Sequence, residues 1–129
     1  MHALRSIHAA LVPHGLVVDT QPVGSQPRAA ANGAELGTLD MHEWVETIHA
    51  VDERVDETIA AGLYEKTDER TLVVRSTFDD GPDCLEITSA WRGTRVPHPL
   101  ADRLATVRDP VSVDQQVRLR LFRRSPACA

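Results

Sequence analysis

One apolar stripe in the middle of the sequence limits most strongly what this chain can fold into. Large apolar side chains recur there at steps of four, three, four and four residues, at Trp44, Ile48, Val51, Val55 and Ile59. This spacing follows the repeat of an α-helix and predicts about five turns of amphipathic helix over residues 41–61. Asp40 before the stripe and Gly62 after it supply a capping side chain and a stop. Such a helix buries its stripe against another layer of secondary structure.

Three segments have the composition of β-strands and predict that this other layer is a sheet. Residues 16–19 (LVVD) form a short apolar run of the kind found in strands that are covered on both faces. Residues 70–78 are rich in β-formers and predict a strand with one buried face, and residues 111–124 alternate as a half-buried strand does. Two short helices are predicted between these strands, at residues 83–91 and 99–107.

The order of these elements predicts an α/β fold with a small mixed sheet of three to four strands flanked by helices. A length of 129 residues indicates a single domain over residues 1–129. Residues 21–33 contain two prolines and two glycines and predict a loop, and residues 123–129 predict a loose basic tail.

The charge and the cysteine content argue against several classes of protein. A net charge of −5 argues against a nucleic-acid-binding surface, which requires a basic face. No apolar run reaches the length of a membrane span, so no membrane association is expected. The two cysteines, Cys84 and Cys128, are expected to be reduced thiols, which predicts a cytoplasmic protein.

Polar residues at the end of the first predicted strand are the first candidates for a ligand site. In doubly wound sheets, ligands bind beyond the carboxyl ends of strands, where this chain has Asp19, Thr20 and Gln21. The alternative is that Asp19 simply ends a strand. The sequence WRGTR adds Arg92 and Arg95, whose guanidinium groups would bind a carboxylate or a phosphate. The alternative for these arginines is that they complement the dipole at a helix end.

His42, Glu46 and His49 recur along the predicted long helix and are the candidates for metal ligands. Imidazole and carboxylate groups bind Zn²⁺ or iron. A metal site usually takes further ligands from another element, and the sequence identifies none, so no metal is predicted. No catalytic residue is identified either, because no serine stands in a recognisable nucleophile motif.

The segment ALRSIHAALVPHGLVVDTQPV, at residues 3–23, resembles the middle of the class I S-adenosylmethionine-dependent methyltransferases. In that family a helix commonly ends in a Leu-basic-Pro-Gly-Gly turn, and the fifth strand follows. Leu11, Pro13 and Gly15 match this turn, whereas Val12 replaces the basic residue and His14 replaces the first glycine.

The resemblance implies that the chain corresponds to the second half of a Rossmann-like methyltransferase fold. The final strand would then lie between the other two long strands and run antiparallel to the first. The cofactor-binding half is not recognisable, because no two glycines are spaced as Gly-x-Gly and no strand-turn-helix unit precedes the matching segment. No cofactor is therefore expected for this chain alone, and S-adenosylmethionine is expected only if a partner completes the fold.

In the full methyltransferase fold the strand from Leu16 to Asp19 is paired on both sides, and here one neighbour is missing. We therefore expect this strand to contact another chain, either a second copy in a homodimer or a cofactor-binding partner. The alternative within the chain is that the loop at residues 21–33 folds back over this edge.

Three functions stay open at this point. The first is a methyltransferase-like half domain that acts through association and has no independent catalysis. The second is a methyltransferase that is completed by a separate chain or by a missing N-terminal region. The third is an unrelated α+β protein that binds a small molecule.

Overall fold

A computed structural model describes residues 15–125 of the chain. Leu11 and Pro13 of the segment that carries the resemblance, and the last four residues of the predicted tail, lie outside this part. The elements in chain order are strand β1 (Leu16–Pro22), β2 (Arg28–Ala31), β3 (Ala34–Thr38), helix α1 (His42–Ala60), β4 (Tyr64–Phe78), α2 (Gly81–Ser89), α3 (His98–Leu104) and β5 (Val111–Arg124). None of the described helices is long and apolar enough to cross a membrane.

The five strands form an open antiparallel sheet, so the α/β class is confirmed. Their order is β1-β5-β2-β3, and β4 also pairs with β5. The final strand therefore pairs with both other long strands and runs antiparallel to β1, as the resemblance implied. The predicted mixed sheet of three to four strands is wrong in strand number and in direction.

The additional strand β2 lies within residues 21–33, which are not the structureless loop that the prolines and glycines predicted, and β3 follows directly after them. Strand β1 continues to Pro22, and β2 pairs antiparallel with β3 around a turn at Asn32 and Gly33. Both turn residues have positive φ, at 52° and 74°, as a tight hairpin turn requires. Strand β2 consists largely of alanine, which is a weak strand former, and its pairing with β5 stabilises it. The loop therefore does not cover the edge of β1 as a free segment.

Helix α1 confirms the prediction from the apolar stripe. Ile48 and Val55 are buried, and the carboxylate of Asp40 accepts the backbone N–H of His42 at 3.0 Å at the start of the helix. This hydrogen bond, together with the contact with the His42 ring, lowers the pKa of Asp40.

The chain divides into two compact units, and the predicted single domain stays a prediction. The first unit comprises residues 15–21, 48–72 and 118–125 among those described. Its core consists of Val55, Tyr64 and Phe122, with partly buried side chains packed against them. On β5, the face that carries Arg120 and Phe122 is the more buried one, since Leu119 and Leu121 remain partly exposed.

Strand β1 in the first unit differs from the predicted strand with two covered faces. Val17 packs against the core of the unit, whereas Leu16 and Val18 are 52% and 61% exposed. A run of three apolar residues is compatible with one or two buried faces, so the sequence pattern alone cannot separate these cases.

The second unit comprises residues 22–47 and 73–117. Its core consists of eight buried residues, namely Ala29, Leu39, Phe78, Cys84, Leu100, Leu104, Val111 and Val113. Cys84 is a free thiol, as expected, and burial raises its pKa to about 11. It is therefore protonated at neutral pH and serves as a core residue.

Candidate functional site

The candidates at the end of the first strand lie in the first unit. Arg120 donates two hydrogen bonds, at 3.0 and 2.7 Å, to Oδ2 of Asp19, and Gln21 donates to the other carboxylate oxygen at 3.1 Å. Thr20 is exposed on the opposite face of β1. Asp19 and Gln21 therefore bind groups of the chain itself, and a ligand role for these three residues stays a prediction.

Asp19 belongs to a network of two arginines and two carboxylates. Arg118 binds Asp52 of helix α1 with two hydrogen bonds, at 2.9 and 2.7 Å, and Arg120 also lies 3.1 Å from Asp52. The guanidinium of Arg118 lowers the pKa of Asp52, and the carboxylate raises the pKa of Arg118 in return. Arg120 is only 5% exposed, and its guanidinium lies 5.2 Å from the ring centre of Phe122. These four charges stabilise the unit rather than offer a free site.

In the second unit, the start of helix α1 forms a polar cleft of about 340 Å³. It is lined by Asp40, His42, Glu43, Glu46, Gly93 and Arg95, and we refer to it as the polar cleft. The backbones of Asp40 and Arg95 exchange two hydrogen bonds, at 2.9 and 2.7 Å, which hold Arg95 against the helix. Two candidates from the start of helix α1, His42 and Glu46, thus line one cleft with Arg95.

The metal candidates do not form a metal site among residues 15–125. His42 lies 2.7 Å from the carboxylate of Asp40, and His49 does not line the polar cleft. No group of three or more histidine, cysteine, aspartate or glutamate side chains in this part of the chain is arranged to hold a metal ion.

A second cleft, of about 260 Å³, has a different character. It is lined by Pro22, Met41, Trp44, Trp91, Arg92 and Gln115, and we refer to it as the aromatic cleft. The indole N–H of Trp44 donates to the carbonyl oxygen of Pro22 at 3.0 Å, which fixes the ring at the wall of the cleft. Arg92, a candidate from the sequence, is the cation of this cleft.

Gly93 lies between Arg92 and Arg95, which line different clefts, and it packs against helix α1. It has a positive φ of 69°, and a Cβ built on it would lie 3.0 Å from the backbone of Trp44. Glycine therefore permits the connection after helix α2 to pack directly on helix α1. Arg92 and Arg95 flank this contact in the sequence and line separate clefts, so the two guanidinium groups do not form one anion site.

No family model and no curated protein matches this chain.

Sequence reasoning missed Trp44 and Trp91 as site residues, because both were assigned to the apolar faces of helices. No local signal identifies them, because both stand at positions that resemble the core positions of a helix. Pro22, the last residue of β1, lines the aromatic cleft, whereas Asp19, Thr20 and Gln21 do not.

Proposed function

We propose that this chain is the trailing half of a methyltransferase-like domain and that it has no catalysis of its own. It acts through association of the open edge of β1 with a second copy of itself or with a cofactor-binding partner chain. The observation that carries this proposal is the position of β1. Within residues 15–125, β1 pairs with β5 on one side and with no strand on the other.

The pairing geometry identifies the backbone groups that are open. Arg124 donates its N–H to the carbonyl oxygen of Gly15 at 2.8 Å, so odd-numbered residues of β1 direct their backbone toward β5. The N–H and C=O groups of Leu16, Val18 and Thr20 therefore point to the open edge. Leu16 and Val18 also expose their side chains, which gives this edge both unpaired backbone and apolar surface.

Strand β4 provides the contrast within the first unit. It also has β5 as its only strand partner in the described part of the chain, but its first half carries Lys66, Asp68, Glu69 and Arg70. Charged residues on an edge strand prevent it from pairing with another sheet. Strand β1 has no charge between Leu16 and Val18, and the only charged side chain further along is Asp19, which Arg120 neutralises. Within the first unit, the β1 edge is therefore better suited to a partner than the charged first half of β4.

The strand order supports the same proposal, since a final antiparallel strand that pairs with both other long strands is what the resemblance implies. A cytoplasmic location is part of the proposal and is favoured by the cysteine content.

Sedimentation velocity of the purified chain measures whether the open edge of β1 associates with a second copy, which is the partner available in such a sample. We expect association at concentrations of tens of micromolar, the range of a modest interface of about −6 kcal/mol. Val18→Lys should weaken the association about tenfold or more, because a charge on the edge opposes pairing. The matched control is Ile87→Lys, which alters an exposed apolar residue of helix α2 and should leave association unchanged. A monomer over the whole range would contradict association of the β1 edge with a second copy.

Equilibrium dialysis with labelled S-adenosylmethionine separates the half domain from a complete enzyme. We expect no binding by the chain alone, because no glycine-rich phosphate- or cofactor-binding turn is present in the sequence. Saturable binding to the chain alone would overturn this part of the proposal.

A further inference from the structure

We propose that the aromatic cleft is a binding site for a small planar aromatic carboxylate. This proposal does not depend on the proposed function. All residues that line the aromatic cleft lie in the second unit, and Pro22 is the only one of them that belongs to β1.

The apolar lining defines the shape of the ligand. Trp44 and Trp91 contribute two indole rings, and Met41 and Pro22 complete the apolar wall. Indole rings prefer offset-stacked or edge-to-face contacts with another aromatic ring, and the thioether of methionine also favours ring contacts. A flat aromatic group therefore gains more from this lining than an aliphatic group of similar size.

The lining is held in place before a ligand arrives. Trp44 is fixed by its hydrogen bond to Pro22 and by the close contact between its backbone and Gly93. The ring of Trp91 lies 6.3 Å from that of Phe78, a buried residue of the core. Preorganised side chains lower the entropic cost of binding, which allows a small ligand to bind measurably.

The charge of the ligand follows from Arg92. Its guanidinium is exposed and has no acidic partner in the part of the chain that the structure describes. A free guanidinium beside an apolar wall binds a planar carboxylate with two parallel hydrogen bonds. The neighbouring polar cleft is excluded for such an anion because it contains three carboxylates, those of Asp40, Glu43 and Glu46.

The size of the cleft limits the ligand to one or two rings. Its volume of about 260 Å³ lies below the range of pockets that enclose drug-sized molecules. Gln115, whose amide donates to the sulfur of Met41 at 3.7 Å, is the remaining polar group of the lining. The cleft thus combines an apolar wall, one cation and one amide, which is the pattern of a small-molecule site.

Nuclear magnetic resonance of the two indole N–H groups tests the proposal with little ambiguity. The chain contains two tryptophans, and both line this cleft. The probe is 2-naphthoate, and the comparison probes are its neutral amide, 2-naphthamide, and the non-aromatic acid cyclohexanecarboxylate. We expect 2-naphthoate to shift both indole signals saturably. Each comparison probe should bind with an affinity that is lower by about tenfold or more.

Two exposed arginines provide the matched variants. Arg92→Gln should weaken 2-naphthoate binding about tenfold and remove the preference for the acid over the amide. Arg95→Gln changes the cation of the polar cleft and should leave the binding of 2-naphthoate unchanged. Unshifted indole signals at millimolar 2-naphthoate, equal binding of the amide, or equal effects of the two variants would each overturn the proposal.

Discussion

Replacing Asp52 with asparagine is expected to lower the free energy of unfolding by about 2–3 kcal/mol. The substitution removes the carboxylate that receives two hydrogen bonds from Arg118 and lies 3.1 Å from the buried guanidinium of Arg120. Breaking a fully buried ion pair costs more than this. The expected loss is smaller here because the carboxylate of Asp52 is partly exposed, so that water compensates for part of the lost interaction. Asp56→Asn, at an exposed position one turn later on helix α1, is the control and should change stability by less than about 0.5 kcal/mol.

The same substitution should change how stability depends on pH. The hydrogen bond from Arg118 lowers the pKa of Asp52 in the folded chain below its ordinary value of 3.8. The stabilisation by this carboxylate is therefore complete above that ordinary value and is lost as the pH falls through the lowered pKa. Urea unfolding at pH 7 and pH 3 should show a smaller loss of stability on acidification for Asp52→Asn than for the unmodified chain. If Asp52→Asn and Asp56→Asn behaved alike at both pH values, the network would not contribute as described.

Replacing Gly81 with alanine is expected to lower the free energy of unfolding by about 3 kcal/mol or more, although it adds only one methyl group. Gly81 is the first residue of helix α2, and its N–H donates to the carbonyl oxygen of Val107 at 2.9 Å. A Cβ at this position would overlap the carbonyl oxygen of Leu104 and lie 2.9 Å from the Cβ of Val107. The overlap is with backbone, so no side-chain rotation relieves it, and the chain after helix α3 would have to move.

Gly24→Ala is the matched control for this substitution. A Cβ at Gly24 would lie 3.5 Å from the nearest atom, the Cβ of Gln116, which is an ordinary contact. Thermal unfolding followed by circular dichroism should show a large decrease in Tm for Gly81→Ala and a small change for Gly24→Ala. Comparable Tm values for the two variants would show that the contact between Gly81 and Leu104 is looser than the structure indicates.

The sequence predicts those parts of the fold that depend on local periodicity. Helix α1 was found because its stripe repeats over five turns, and β5 was found because its side chains alternate over most of its length. The β2–β3 hairpin was missed because alanine and glycine carry little strand signal, although Asn32-Gly33 is a typical hairpin turn. Its stability depends on pairing with β5, about 80 residues further along the chain, which no local pattern contains.

In the candidate site, too, the sequence identifies residues by their type and local position, whereas contacts between distant residues are visible only in the fold. His42 and Glu46 stand four residues apart on one helix, as the sequence predicts, but the distance of Arg95 along the chain gave no indication that it lines the same cleft. Asp19 was identified by its position at a strand end, and its partner Arg120 is 101 residues away. Only the fold shows that this carboxylate is neutralised. The tryptophans of the aromatic cleft resemble core residues in sequence, because a helix stripe does not reveal which of its members remain partly exposed.

Hydrogen exchange of the β1 amides is the most direct test of the open edge. Leu16, Val18 and Thr20 direct their N–H groups away from β5, so their exchange reports on a partner at that edge. We expect their protection to rise with protein concentration, by about tenfold or more between dilute and associated samples, while Val17 and Asp19 stay protected throughout. Fast exchange of the three amides at every concentration would contradict association of the β1 edge with a second copy, and slow exchange in a dilute monomer would contradict an edge that is open.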